Sequence, residues 1–295
     1  MIRTIAFACT LLATAAAWAQ TTYNPKIAYT QVASGKSLHL YLANSDGTHA
    51  VRVTTSVNIN SVDFAPGGGR IAFSDNHGIK VMNYTASNAG IAASVPQLLV
   101  AGTYLSSPDF SPDGSRIMYH DPFGGGVKAI SLAPASTPVA LYSGCGWSRW
   151  LRTVDMGNAF ACYKSITGPN VPGVYEIWVV LLDADFNLTS AGRVLSTETQ
   201  AFKGISEFDV ARTRNALLMV VSYPTTTQIV EFDIVTGLVT DKDAGTRVHY
   251  SADDSRIIFI SPHLASGDYV SSLDSAGLVT RLTKKGSYGT TDAQP

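Results

Sequence analysis

The chain has 295 residues, 45% of them hydrophobic and only 15% charged, a balance that supplies a large core and excludes an intrinsically disordered chain. Basic and acidic side chains number 21 and 22, for a net charge of -1. That excludes the electrostatic footprint that binding to nucleic acid or to an anionic membrane surface requires.

Residues 1–19 read as an export signal. Arg3 provides a positive start, residues 5–17 are apolar and uncharged, and Ala17-Trp18-Ala19 is a small-x-small cleavage pattern ahead of Gln20. The apolar run is too short to span about 30 Å of hydrocarbon. Cys9 lies inside it, in the wrong context for a lipoprotein cysteine. The mature chain, residues 20–295, is therefore expected to be a soluble periplasmic or secreted protein without membrane insertion. It opens on strands at 26–30, 38–42 and 51–54, with a turn at Asn44-Ser45-Asp46-Gly47. No strand precedes the first of these to lead the sheet.

Internal repeats organise the remainder of the chain. Val62-Asp63-Phe64-Ala65-Pro66-Gly67-Gly68-Gly69-Arg70-Ile71, Pro108-Asp109-Phe110-Ser111-Pro112-Asp113-Gly114-Ser115-Arg116-Ile117 and Val248-His249-Tyr250-Ser251-Ala252-Asp253-Asp254-Ser255-Arg256-Ile257 are near copies. Each is a short strand, a polar turn and a second, β-branched and aromatic strand. Weaker copies start at Trp150 and Phe208, so the lead aromatics Phe64, Phe110, Trp150, Phe208 and Tyr250 are spaced by 46, 40, 58 and 42 residues. Two further strands succeed each pair, as at 79–82 and 97–100, or 175–180 and 193–195. The long interval holds Gly168-Pro169-Asn170-Val171-Pro172-Gly173, read as a hairpin-loop insertion. A period of 40–50 residues with four strands per unit predicts an all-β, six-bladed β-propeller of four-stranded antiparallel blades. The tail from Thr290 supplies the strand missing from the N-terminal blade and closes the ring. A twisted β-sandwich would not explain strand copies at this period.

The segment Phe110-Ser111-Pro112-Asp113-Gly114-Ser115-Arg116-Ile117 resembles the core of the WD-like propeller repeat of the TolB family. Leu40-Tyr41-Leu42-Ala43-Asn44-Ser45-Asp46-Gly47 with Val51-Arg52-Val53-Thr54, and again Arg281-Leu282-Thr283, is similar to that repeat's ending. The resemblance covers the mature chain, without the N-terminal α/β domain that TolB carries, and so does not extend to a role in the Tol–Pal envelope system. It implies recognition of a protein or peptide on one propeller face or at the channel mouth, and the chain is expected to be a monomeric, non-enzymatic scaffold.

Motifs for chemistry are absent. There is no G-x-S-x-G elbow, no H-E-x-x-H and no phosphate loop, and the six histidines show no ligand spacing, so no cofactor or metal is expected. Asp183-Ala184-Asp185-Phe186-Asn187 opens like a calcium loop but has Leu188 and Val194 where Gly and Glu are needed. The residues before the lead aromatics are Asp63, Asp109, Arg149, Glu207 and His249, expected to converge at the mouth of the central channel. There they can bind a ligand or tie blades together, and ties are preferred because buried polar groups are normally satisfied within a fold. Other binding candidates are the insertion 168–173, the loop 121–126 and the aromatic residues Trp147 and Trp150, which can instead pack in the core between blades, Trp150 more readily than Trp147. Cys145 and Cys162 can form a disulfide or pack as two small hydrophobes. The alternative function is a metal-dependent propeller hydrolase, lactonase-like or glycan-active, with its ion in the channel.

Overall fold

The structure, a computed structural model, describes residues 25–32, 38–44, 46–54, 58–87, 90–153, 158–168, 171–251, 253–261, 269–282 and 287–293. The leader at 1–19 and the centre of the 168–173 segment lie outside them.

Six antiparallel sheets form six blades. Blade 1 contains β1 (Pro25–Val32), β2 (Leu38–Asn44) and β3 (Val51–Arg52). Blade 2 contains β4 (Ser61–Phe64), β5 (Arg70–Asp75), β6 (Gly78–Ser87), β7 (Gly90–Ala93) and β8 (Gln97–Ala101). Blade 3 contains β9 (Ser106–Phe110), β10 (Arg116–Asp121), β11 (Gly126–Ser131) and β12 (Val139–Tyr142). Blade 4 contains β13 (Ser148–Trp150), β14 (Asn158–Gly168), β15 (Val171–Leu182) and β16 (Leu188–Ser196). Blade 5 contains β17 (Gly204–Val210), β18 (Ala216–Ser222), β19 (Thr227–Asp233) and β20 (Val239–Asp243). Blade 6 contains β21 (Thr246–Tyr250), β22 (Arg256–Ser261), β23 (Tyr269–Asp274) and β24 (Val279–Arg281). The last strand, β25 (Ser287–Ala293), pairs with β1 and completes blade 1.

The 168–173 insertion lies at the far end of a long hairpin, as expected, since β14 and β15 run to Gly168 and from Val171. One detail departs from the expectation drawn from sequence. In blade 2 the outer partner of β6 is divided, with β8 on its first half and β7 on its second.

Burial explains the strand patterns. The second strand of a blade is covered on both faces by neighbouring blades, so β18 is apolar and buried from Ala216 to Val221, whereas β24 at the rim is wholly exposed. Among the described residues the buried apolar side chains form six clusters, each shared by two adjacent blades, including one between blades 6 and 1. Closure therefore gives every blade a neighbour against which to bury its apolar faces.

The repeat motif is explained by its turn. Asp113 accepts hydrogen bonds from the Ser111 and Ser115 hydroxyls and the Ser115 N–H, and Asp253 does the same with Ser251 and Ser255. These bonds hold Asp253 down at about 2 against the opposing effect of burial. Gly114 sits at φ 68° and Asp254 at φ 55° in the equivalent place, a left-handed position that glycine takes freely and Asp tolerates. The arginine that comes after the turn reaches the next blade: Arg70 lies over the Phe110 ring at 5.7 Å, and Arg116 over Phe186 at 4.1 Å.

Candidate functional site

The lead strands surround the channel, and their register decides which side chains meet there. Asp63 lies opposite Ala72, Asp109 opposite Met118, Arg149 opposite Ala161 and His249 opposite Ile258. In blade 5 that level belongs to Asp209, opposite Leu218, and not to Glu207. The turn of blade 5 begins after Val210, two residues beyond Phe208, and this displaces the frame by two residues. Asp292 of β25 holds the same register position in blade 1, opposite Ala28.

The side chains of Asp63, Asp109, Asp209, Arg149 and His249 tie blades together and fill the channel. The Asp63 carboxylate accepts the Phe110 N–H of the next blade at 2.6 Å, Asp109 accepts that of Trp150, and Asp209 accepts that of Tyr250 at 2.8 Å. Blade 4 contributes arginine where its neighbours have aspartate. Arg152 reaches Asp109 at 2.9 Å and Asp63 at 3.7 Å, while Arg149 lies 3.9 Å from Asp109 and 3.7 Å from Asp209. His249 is 3.6 Å from Asp209. Burial, then the Asp63 charge, push the Asp109 carboxyl up to about 6 despite Arg152, Arg149 and the Trp150 N–H. Burial also opposes ionisation of Asp209, but His249, Arg149 and the Tyr250 N–H outweigh it and hold this carboxyl well below the usual range. The result is an ionic plug, with room left for only about 10 Å³ between its side chains.

Above the plug, at the end where the lead strands begin, a cup of about 300 Å³ opens. Every blade contributes to its wall, through Leu38, Ser61, Ser106, Trp147, Glu207 and Arg247 in turn. Arg149 forms its floor beside Ser148, whose buried Oγ has no protein partner. Register shifts in β9, β17 and β21 each insert one extra residue here, placing Ser107, Ser206 and Arg247 on the cup. Two of these inserted residues, Ser107 at φ 53° and Arg247 at φ 56°, are left-handed without being glycine. Such strain costs on the order of 1 kcal/mol per residue and collects at sites that use it. Glu207 accepts the Arg247 N–H at 2.9 Å and faces its guanidinium at 3.8 Å.

The two tryptophan candidates part company. Trp150 is core, edge-on to Phe160 and Phe186. Trp147 is 39% exposed on the cup wall, its ring stacked on Tyr163 at 5.3 Å, which stacks on Tyr175 at 5.8 Å. On the same face Tyr104 and Phe123 are 71% and 80% exposed and meet edge-on at 5.7 Å. Phe123 belongs to the 121–126 loop; Tyr104 precedes Ser106 and carried no sequence signal of its own.

Cys145 and Cys162 form a disulfide with Cα atoms 5.8 Å apart. Cys162 faces Ser148 across the strands, and Gly144 at φ 83° precedes Cys145 in the segment that leads into β13. The bond fastens the segment that presents Trp147, whose carbonyl accepts the Tyr163 N–H at 2.9 Å. Replacing both cysteines by serine is expected to cost about 3 kcal/mol and to lower the melting midpoint by roughly 5–10 °C. Calorimetry of the double variant, with acrylamide quenching to follow Trp147, checks this; an unchanged midpoint would refute it.

Ring closure and antiparallel four-stranded blades define the protein as a six-bladed β-propeller, with an open cup at the end where the lead strands begin. Among solved structures, TolB from Acinetobacter baumannii superposes with a TM-score of 0.66 at 15% identity, over 91% of this chain and 66% of TolB. A protein from Agrobacterium tumefaciens described as TolB gives 0.58 at 15% identity, over 93% of this chain and 99% of its own. Puromycin hydrolase gives 0.54 at 14% identity, over 89% of this chain and 46% of the enzyme. At these identities the likeness establishes the fold alone. No protein-family model matches the chain, and neither does any curated protein.

Proposed function

We propose that the protein is an exported, non-enzymatic scaffold that engages a protein or peptide partner on the cup-bearing face. The observation that carries this reading is the Tyr104–Phe123 pair, two large rings held together in solvent beside the cup. Tyr104 is held there at φ 65°, a strained geometry for a bulky side chain. Exposed aromatic pairs of this kind are the usual anchors of interfaces. A periplasmic or extracellular location is supported by the leader sequence and the disulfide. Among the described residues no helix is long and apolar enough to cross a membrane.

The alternative, a metal-dependent hydrolase working in the channel, has less support. Asp63, Asp109 and Asp209 already face Arg149 and Arg152, and a divalent cation among them would meet two guanidinium groups. Immobilised mature protein, exposed to an envelope extract, is expected to capture a partner that the Tyr104→Ala/Phe123→Ala variant loses, with no change in melting temperature. Equal capture by both, or metal-dependent turnover of lactone substrates, would defeat the proposal.

A further inference from the structure

The cup differs in chemistry from the aromatic pair beside it. Its polar lining is dominated by hydroxyl and amide groups: Asn60, Ser106, Ser107 and Ser206 at the wall, with Ser148 at the floor. Ser206 reaches the Val220 carbonyl at a long 3.4 Å, and the Ser148 Oγ is buried without a protein partner. The charges of the cup are matched locally. Glu207 faces Arg247 at 3.8 Å, and Arg149 faces Asp109 and Asp209 beneath it. An ionic ligand would therefore disturb pairs that already exist, whereas an uncharged one would not. One wall is a flat indole whose back is supported by Tyr163 and Tyr175, so the ring is held in place before anything binds.

We infer that the cup is a binding site for a neutral saccharide, with one pyranose ring lying against Trp147. Sugar hydroxyls both donate and accept, as do the serine hydroxyls that would meet them. The axial C–H groups of a pyranose carry partial positive charge and complement the negative face of the indole. A volume of about 300 Å³ accommodates one or two sugar rings and falls at the lower end for ligand sites. The bulges supply the specificity, because Ser107 and Ser206 are placed on the cup by an inserted residue in β9 and β17. This site is independent of the Tyr104–Phe123 surface, and either can exist without the other.

The test is calorimetric titration of the mature protein with the methyl glycosides of glucose, galactose, mannose and N-acetylglucosamine and with their β-linked disaccharides. Methyl glucuronide and a blocked tetrapeptide serve as charged and peptide probes. At least one neutral sugar is expected to bind and to shift the tryptophan emission. Trp147→Ala should weaken that binding by about tenfold or more, and Trp147→Phe by less, since part of the ring face remains. Ser206→Ala should weaken it several-fold while leaving the melting temperature unchanged. Tyr104→Ala/Phe123→Ala should bind the sugar as the unaltered protein does, which separates failure of this inference from failure of the partner reading. The inference is overturned if no neutral sugar binds, if the glucuronide or tetrapeptide binds in its place, or if Trp147→Ala binds the sugar normally.

Discussion

Asp109→Ala is expected to destabilise the protein by about 3–5 kcal/mol, because it leaves Arg149 and Arg152 in the channel without their shared carboxylate. It also removes the acceptor for the Trp150 N–H, the tie between blades 3 and 4. The melting midpoint should fall by roughly 10 °C or more. Asp109→Asn keeps an acceptor for that N–H and should cost less. Because burial and Asp63 raise the folded-state carboxyl to about 6, the folded protein binds a proton there more readily than the unfolded chain. The stability this provides is complete below the ordinary carboxylate value of 3.8 and is lost as pH rises through about 6. Asp209 has the opposite sign: its depressed pKa adds stability above the ordinary range that is lost only in stronger acid. Between pH 7 and pH 4 the advantage of the natural protein over Asp109→Asn should therefore grow. Urea denaturation of both proteins across that range measures it, and a constant difference would contradict the assignment.

How legible each feature is in the sequence depends on how locally it is encoded. Ser111-Pro112-Asp113-Gly114-Ser115 is legible because its turn is local: the carboxylate bonds two residues either way, and the left-handed position needs Gly or Asp. Blade 5 is misleading because a displacement of two residues keeps Phe208 on the same face of its strand. Phe208 therefore looks like a lead aromatic although Val210 holds that level. The distance to the next turn was the usable signal, and it points to Asp209. Arg152 had no signal at all. It lies beyond the repeat frame, and only the closed ring brings it to Asp63 and Asp109. The plug thus depends on three-dimensional closure, as the cup does. The serines of the cup were equally silent, since an inserted residue leaves no mark in hydrophobic periodicity.

Closure itself gives the other large expected effect. A chain ending at Gly286 would lose β25, whose pairing with β1 joins Ile27 to Ala293 and Gln31 to Ser287. The inner edge of β1 would then be left with unpaired backbone groups, an edge open to aggregation. The apolar clusters on either side of blade 1 would lose the strand that holds that blade in the ring. Point variants remove one tie; this truncation removes the closure on which all six inter-blade clusters depend. The expected result is loss of a cooperative thermal transition, or a fall in midpoint greater than that of Asp109→Ala. A synthetic peptide covering residues 287–295 should restore part of the transition by pairing with β1. Because Leu38 of blade 1 and Arg247 of blade 6 both line the cup, sugar binding should disappear with the strand and return with the peptide. A truncated protein that melts like the full chain would show that the blades stand without the ring, and that the plug and the inter-blade clusters alone hold the propeller together.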